Sequence, residues 1–437
     1  MPMRARKPNV VFILVDALRA SSLHCYGYSK PVSPNIDELA KEGVLFENAY
    51  SVTNSTDPSL VSIFSGRYPG SHGIVHHGFS ISKETYRKIE EILLLPEILK
   101  SHGWVTLAVD WLGRCHKKGY DYYSGILHKY KPKQPRFLQP GHLIGRILDR
   151  LTKGIFKGYD EANICTDKAI ALIAKNRTKR FFLFVHYWDT HYPYNPPLKY
   201  ALPLHSLHRR YDGEIEFVDY EIGRLMDYLK KLRLLEETLI IFTSDHGESI
   251  NEHKIFHDHH GLYDVTIHVP LILRHSRLSS TRVKNLVSHV DLVPTILEIL
   301  NLSVDELFDG KSLVPLIEGK IKQLRSAIYV EERYAQRKIA IRTWKYKYIQ
   351  ALNHEGALCK MCNRVHGGIN ELYNLEKDPM ELRNVIDEIP EKAKMFRTKL
   401  EKWKRSFVHV EEEKEESVFA KGEEKEILER LRRLGYI

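Results

Sequence analysis

The chain runs to 437 residues, 43% hydrophobic and 10% aromatic, enough apolar material for one large core and a smaller second one. No stretch reaches the roughly 18 apolar residues of a membrane span, and five cysteines in a chain this long do not make a secreted disulfide framework. A formal net charge of +10 favours an anionic substrate or surface without specifying a fold.

The apolar run 10–15 stops at Asp16, as a buried strand does when its carboxyl end opens onto a crevice. Ser33 and Pro34 open a helix that stops at Gly43. The run Asn54, Ser55, Thr56, Asp57, Pro58, Ser59, Leu60 ends at Gly66 and Arg67. Pro suits a first helical turn and Gly an end, so a helix is predicted to start near Thr56, whose hydroxyl occupies or adjoins the N-cap. Unsatisfied N–H groups and the helix dipole there favour an alkoxide and an anionic ligand. Taken alone, Thr56 reads first as an ordinary cap beside solvated carboxylates; the combination with Asp16, Asp245 and His246 points to chemistry.

Basic residues crowd 117–136, with Tyr120, Tyr122, Tyr123 and Tyr130 between them. The irregular texture, without a nucleic-acid motif, predicts a surface insertion near the substrate mouth and no nucleic-acid partner. Over 142–157, Leu143, Ile144, Ile147, Leu148, Leu151, Ile155 and Phe156 recur at helical spacing with basic residues on other faces. Such a helix either packs on its own protein or makes peripheral contact with anionic lipid.

The strand run 180–185 leads into His186, Tyr187, Trp188, Asp189, Thr190 and His191, and Val218, Ile222, Leu225 and Leu229 mark a later helix. A further strand, 239–242, leads to Asp245, His246, Gly247 and Glu248. A divalent cation held by Asp16, Asp245 and His246 would acidify the Thr56 hydroxyl. His253, His257, Asp258, His259 and His260 fall within eight residues that read as a mobile loop.

Strand and helix patterns alternate to about residue 317, predicting a mostly parallel sheet covered by helices. After Gly319, short β-rich runs at 327–330, 338–341 and 346–349 predict a small antiparallel sheet. Cys359 and Cys362, flanked by His354 and His366, have the composition of a structural zinc site, with free thiols or a local disulfide as alternatives. Charged helices at 391–407 and 423–434 finish the chain, separated by the acidic run 411–416. The expected division is a catalytic domain over 1–320 and an α+β subdomain over 321–437.

Taken in order, these pieces resemble the sulfatase family within the alkaline-phosphatase superfamily. Matching segments include Cys25-Tyr26-Gly27-Tyr28, Ser65-Gly66-Arg67-Tyr68-Pro69, Tyr211-Asp212-Gly213-Glu214, Asp245-His246-Gly247-Glu248, His260-Gly261-Leu262-Tyr263, His289-Val290-Asp291 and Asp309-Gly310-Lys311-Ser312. The resemblance implies an α/β fold: a mostly parallel sheet sandwiched by helices, with a small C-terminal antiparallel-sheet plus helix subdomain. It also implies a metal site of Asp16, Thr56, Asp245 and His246, with Asp189, His259 and Arg67 on the substrate. Asp189 and His191 resemble the family's Asp-Pro-His-x-Pro-Tyr signature, which gives His191 the role of stabilising the esterified anion. The Asp189-x-His191 spacing does not fit a second phosphatase-type metal, so one cation is expected. Aligned on Tyr263 and Asp264, His260 falls beside the leaving-group oxygen as general acid, with His259 as the competing register.

Two departures carry information. Sulfatases have Cys or Ser at the position of Thr56 and oxidise it to formylglycine; Thr56 bears a methyl on Cβ and would give a ketone. An unmodified, metal-activated hydroxyl is therefore expected. The family's Arg four positions further on is Leu60. Related phosphodiesterases and phosphoglycerol transferases use Thr through a phosphothreonine that water or an alcohol resolves. Phosphoryl chemistry is accordingly favoured over sulfate ester cleavage. An arylsulfatase-like enzyme and a catalytically silent binder of anionic polymer or lipid are the alternatives. The cation is expected to be Mg²⁺, Mn²⁺ or Ca²⁺, with Zn²⁺ open because of the imidazole. Cleavage of a leader after the basic start would remove Asp16, so a cytoplasmic location is expected.

Overall fold

In the computed structural model of the chain, the described residues are 7–75, 77, 83–113, 115–124, 160–201, 206–359 and 364–407. The stretch 142–157, the acidic run 411–416, the segment 423–434, Cys362 and most of the basic run 117–136 lie outside them.

The main sheet is built from β1 (Asn9–Val15), β2 (Val44–Tyr50), β3 (Val105–Val109), β4 (Tyr122–Ser124), β5 (Phe181–Tyr187), β6 (Thr238–Thr243), β7 (His268–Val269), β8 (Leu271–Arg274) and β9 (Thr281–Ser288). Their order is β4-β3-β5-β1-β6-β8-β2-β7, with β9 paired to β2. From β4 to β6 all neighbours are parallel. β8 is antiparallel to both β6 and β2.

Every residue of β1 is buried, because helices cover both faces. Val10, Phe12 and Leu14 enter one core with Leu60, Ile63 and Phe64, while Val11, Ile13 and Val15 enter the other with Ile222, Leu225 and Leu229. That period-2 split of a wholly apolar run is the mark of a central strand in a layered α/β sheet. The first core is covered by helices that include α2 (Thr56–Ser65) and α5 (Leu292–Ile299). The second is covered by α1 (Pro34–Glu42), α3 (Ala162–Asn176) and α4 (Leu207–Lys231). No helix among the described residues is long and apolar enough to cross a membrane.

A second sheet, wholly antiparallel, comprises β10 (Ala327–Glu332), β11 (Lys338–Thr343), β12 (Tyr346–Ala351) and β13 (Asn370–Asn374) in that order. One face packs on α6 (Pro390–Arg405) through Ile339, Ile341, Tyr348 and Leu372 against Ala393, Phe396 and Leu400. The other presents Val330, Ala340 and Ile349 to Tyr50, Leu262, Tyr263 and Ile267 of the larger unit.

A buried carboxylate ties the small sheet to the larger unit through Tyr263. Glu371 takes Lys338 Nζ at 2.7 Å on one oxygen and the hydroxyls of Tyr263 and Tyr373, each at 2.7 Å, on the other. Its replacement leaves a buried ammonium without its carboxylate and two buried phenols without an acceptor. Glu371→Ala is expected to destabilise the fold by about 3–5 kcal/mol, read as a lower urea midpoint at unchanged slope.

Candidate active site and metal cradle

Because β5, β1 and β6 are parallel neighbours in register, their carboxyl ends open at one edge of the sheet. Asp16 follows β1, Asp245 and His246 follow β6, and Asp189 and His191 follow β5. Opposite lies the start of α2, with Ser55 as its N-cap in extended conformation and Thr56 as the first helical residue. Gly66, at φ 68°, ends the helix as the sequence predicts. A Cβ on Gly247 would lie 2.1 Å from the Val265 carbonyl oxygen, so the backbone can bend behind His246 only with glycine there.

Ligand atoms of Asp16, Asp245 and His246 lie within 4.8 Å of one another, and all three residues are fully buried. Asp245 Oδ1 accepts the backbone N–H groups of Ala17 (3.2 Å) and His246 (2.9 Å), which turns Oδ2 inward. His246 donates Nδ1–H to the Gly247 carbonyl at 2.8 Å, so its Nε2 lone pair faces the carboxylates, 3.3 Å from Asp245 Oδ2. Thr56 Oγ1 is 3.4 Å from the same Nε2. The hydroxyl, two carboxylates and an imidazole therefore converge as the sequence suggests.

This donor set fits a divalent cation. Neither oxygen of Asp16 nor Asp245 Oδ2 accepts a hydrogen bond; the nearest donor, His186 Nε2, is 3.5 Å from Asp16 Oδ2. Burial, with Asp245 beside it, pushes the Asp16 carboxyl up to about 8. Burial also holds His246 well below its ordinary value and hence neutral, as a ligand must be.

Behind Asp16 lies a buried network that sequence reasoning missed. Asp110 takes His186 Nδ1 at 2.8 Å and His116 Nε2 at 3.0 Å, with the Tyr123 hydroxyl as a third donor. Burial opposes charge on His186, but its hydrogen bond to Asp110 and the nearby Asp16 carboxylate outweigh that and push it up to about 9. Asp110 follows β3, and only the spatial order β3-β5-β1 could have linked it to Asp16.

The histidine-rich loop is packed rather than solvated: His259 and His260 are 2% and 3% exposed, and Ser249 bridges to Asp258 across its neck. Register across Gly261 turns the two rings in opposite directions. His259 stacks on His246 with centroids 4.2 Å apart and donates Nδ1–H to the Asn54 carbonyl. His260 instead meets His366, with centroids 4.9 Å apart. His191 sits edge-on to His259 at 5.9 Å and donates Nδ1–H to the Tyr192 carbonyl at 2.6 Å.

Other sequence assignments fall elsewhere. Arg67 lies past the far end of α2, about 15 Å along the helix axis from Thr56, where it pairs with Glu306 and the Leu307 carbonyl. Asp189 accepts the Ala162 N–H at 3.3 Å, at the start of α3. His354 is exposed beside a short 3-10 turn and does not join Cys359 and His366. Two neighbours of the cradle carried no sequence signal. His77 pairs with Asp57 at 3.1 Å, and Tyr334, from the β10–β11 connection, lies parallel over His259 at 5.8 Å.

Comparison with known proteins agrees with this architecture. A sulfatase family model matches residues 8–302, and one described as N-sulphoglucosamine sulphohydrolase, C-terminal, matches 251–406. The N-acetylglucosamine-6-O-sulfatase of Bacteroides thetaiotaomicron is 23% identical, over 96% of this chain and 90% of that protein. Human arylsulfatase A is 25% identical, over 87% and 84%. Among solved structures, one in complex with its substrate D-glucosamine-2-N,6-O-disulfate aligns with a TM-score of 0.71 at 20% identity, over 93% of this chain and 100% of that one. The phosphonate monoester hydrolase of Agrobacterium radiobacter aligns with 0.70 at 21%, over 92% and 96%. With more than half its length matched by the family model, the chain belongs to the sulfatase family.

Proposed function

We propose that this chain is a metal-dependent hydrolase of phosphoric esters that uses Thr56 Oγ1 as its nucleophile. The observation that carries the reading is a threonine hydroxyl, which cannot be converted to formylglycine, in the first turn of α2, 3.4 Å from His246 Nε2, beside two carboxylates whose inward oxygens accept no hydrogen bond. A divalent cation, Mg²⁺, Mn²⁺ or Ca²⁺ by the carboxylate content, would be held by Asp16, Asp245 and His246 and would supply charge neutralisation and an acidified hydroxyl.

The chain's own groups account for the remainder. Thr56 Oγ1, its proton released to solvent, attacks phosphorus as the ester P–O bond breaks, leaving a phosphothreonine for water to resolve. The positive end of the α2 dipole faces the phosphoryl oxygens, although within its first turn the Asp57 N–H donates to His77 Nδ1 at 3.4 Å and Pro58 has no N–H to offer. His191 and His259 each commit Nδ1–H to a backbone carbonyl, so any further proton must sit on Nε2. Burial holds both rings below their ordinary value, His191 down to about 3. An esterified anion supplies the negative charge that reverses this, and His259 then gives its Nε2 proton to the departing alkoxide. His259 takes the general-acid role in place of His260, whose ring faces away.

The names of the relatives favour a second reading, hydrolysis of a sulfated sugar. Initial rates on aryl phosphodiester, phosphomonoester, phosphonate and sulfate substrates, each with Mg²⁺, Mn²⁺, Ca²⁺ and Zn²⁺, separate the two. Phosphoester turnover is expected, and turnover of sulfate esters alone would overturn the proposal. His259→Ala is expected to cost about 10²–10⁴-fold on poor leaving groups and much less on p-nitrophenolate, which departs without a proton.

A further inference from the structure

Outside the cradle, one other cluster of side chains among the described residues has the make-up of a metal site. His260 comes from the loop after β6, and Cys359 and His366 from the β12–β13 connection. Their ligand atoms lie within 4.8 Å of one another, and the residues are 3%, 0% and 4% exposed.

The two imidazoles meet through Nε2, 3.3 Å apart. The far edge of each ring decides what those atoms carry. His366 Nδ1 faces the His253 backbone carbonyl at 3.3 Å, which only accepts, so the proton is on Nδ1. His260 Nδ1 faces Asp258 Oδ2 at 3.2 Å, an acceptor again. With a proton on each Nδ1, both neutral rings turn a lone pair toward the other, and a cation between them satisfies both. In a tetrahedral zinc site with bonds of about 2.0–2.1 Å, two nitrogen ligands stand about 3.3–3.4 Å apart. The observed separation is the edge of such a tetrahedron. Asp258 lies behind His260 at 3.2 Å, where a carboxylate can orient a metal-bound ring.

We propose that His260, Cys359 and His366 form a second metal site, specific for Zn²⁺ or a cation of the same preference and separate from the cradle of Asp16, Asp245 and His246. One thiolate and two imidazoles select such an ion, whereas two carboxylates and one imidazole favour a harder one. The site joins the two units of the fold: its ligands come from the loop carrying His259 and from the small sheet. Gly261 N–H, donating to Glu332 at 3.0 Å, and the Tyr263–Glu371 bond run beside it. The ion pins that loop, and with it the ring stacked on His246. This consequence rests on the role given to His259; metal binding itself does not.

The competing occupant is a proton. Burial opposes charge on His260, but Asp258 and Cys359 push its ring up to about 11, so an imidazolium would also fill the gap. Metal analysis and cobalt spectroscopy of the full chain decide. After purification without chelator, the protein is expected to retain about one equivalent of zinc through dialysis. Co²⁺ exchanged into it should give the visible bands of a tetrahedral ion and a near-ultraviolet sulfur-to-cobalt charge-transfer band. Cys359→Ser should abolish the charge-transfer band, His366→Gln should remove the zinc equivalent, and Asp245→Asn, a cradle ligand, should leave both signals unchanged. Circular dichroism establishes that each variant is folded, and two substitutions on one site guard against the failure of either. A wild-type protein that takes up neither Zn²⁺ nor Co²⁺ in this form, or a charge-transfer band that survives Cys359→Ser, overturns the proposal. Loss of phosphoester turnover with both spectroscopic signals intact would overturn the hydrolase reading alone.

Discussion

Thr56→Ala is expected to reduce turnover by about 10⁴- to 10⁶-fold, the scale seen when a covalent nucleophile is removed. The fold should survive. Thr56 makes one hydrogen bond, to His246, and the loss of such a bond costs about 1 kcal/mol. Thr56→Ser keeps an oxygen at the same place but loses the γ-methyl that restricts χ1, so it should retain activity with a lower kcat. In wild type quenched during turnover of a phosphodiester, the peptide containing Thr56 should carry phosphate, and in Thr56→Ala no peptide should. Alanine turnover within tenfold of wild type would remove Thr56 from the reaction, whatever the substrate.

How far the site could be read from sequence depended on whether its parts were contiguous. Asp16 and the Asp245-His246 pair were legible because each directly follows a run of residues buried on both faces, and a polar residue at such a strand end has nowhere else to go. The start of α2 was legible because Pro58 and Gly66 mark its first turn and its end. Arg67 misled for the same reason: eleven positions along the chain look close, yet a helix spends them moving away from the site. The choice between His259 and His260 could not be made from sequence. One residue of register at a loop, set by Gly261 at φ 86°, sends adjacent rings to opposite sides.

Contacts between distant segments left no pattern at all. Asp110, His116 and His186 are joined only by strand order, and Tyr334 reaches the cradle only because the small sheet docks against Tyr263 and Ile267. The antiparallel β8 was equally invisible, since an apolar run of three residues, Leu271 to Leu273, has no direction. The Cys-x-x-Cys spacing drew attention to Cys359, but His260, which clusters with it and His366, lies 99 positions before it.

Stripped of divalent ions, the protein is expected to lose stability as pH rises from about 4 to about 8, and Mg²⁺ or Ca²⁺ should flatten that slope by the share that Asp16 contributes. The sign follows from Asp16. Its carboxyl titrates near 3.8 in the unfolded chain and is pushed up to about 8 by burial and Asp245 in the folded one. Between those values the folded state holds a proton that the unfolded state has released, so each rise in pH favours unfolding, by up to about 1.4 kcal/mol per unit. His186, raised to about 9, acts in the same direction: its contribution is complete below 6.5 and is lost as pH passes through 9. Together the effect is a sizeable share of a typical 5–15 kcal/mol. A bound cation meets the ionised carboxylates directly and removes the penalty. Mg²⁺ and Ca²⁺ are the right ions for the test because the cluster of one sulfur and two nitrogens does not favour them. Asp245→Asn sharpens the comparison: it relieves the charge beside Asp16, so without ions the variant should match or exceed wild-type stability at pH 8, while ion binding and turnover fall together. Urea midpoints measured at each pH unit, with and without ion, give the slopes. Parallel curves with and without ion would place the cation elsewhere than at Asp16.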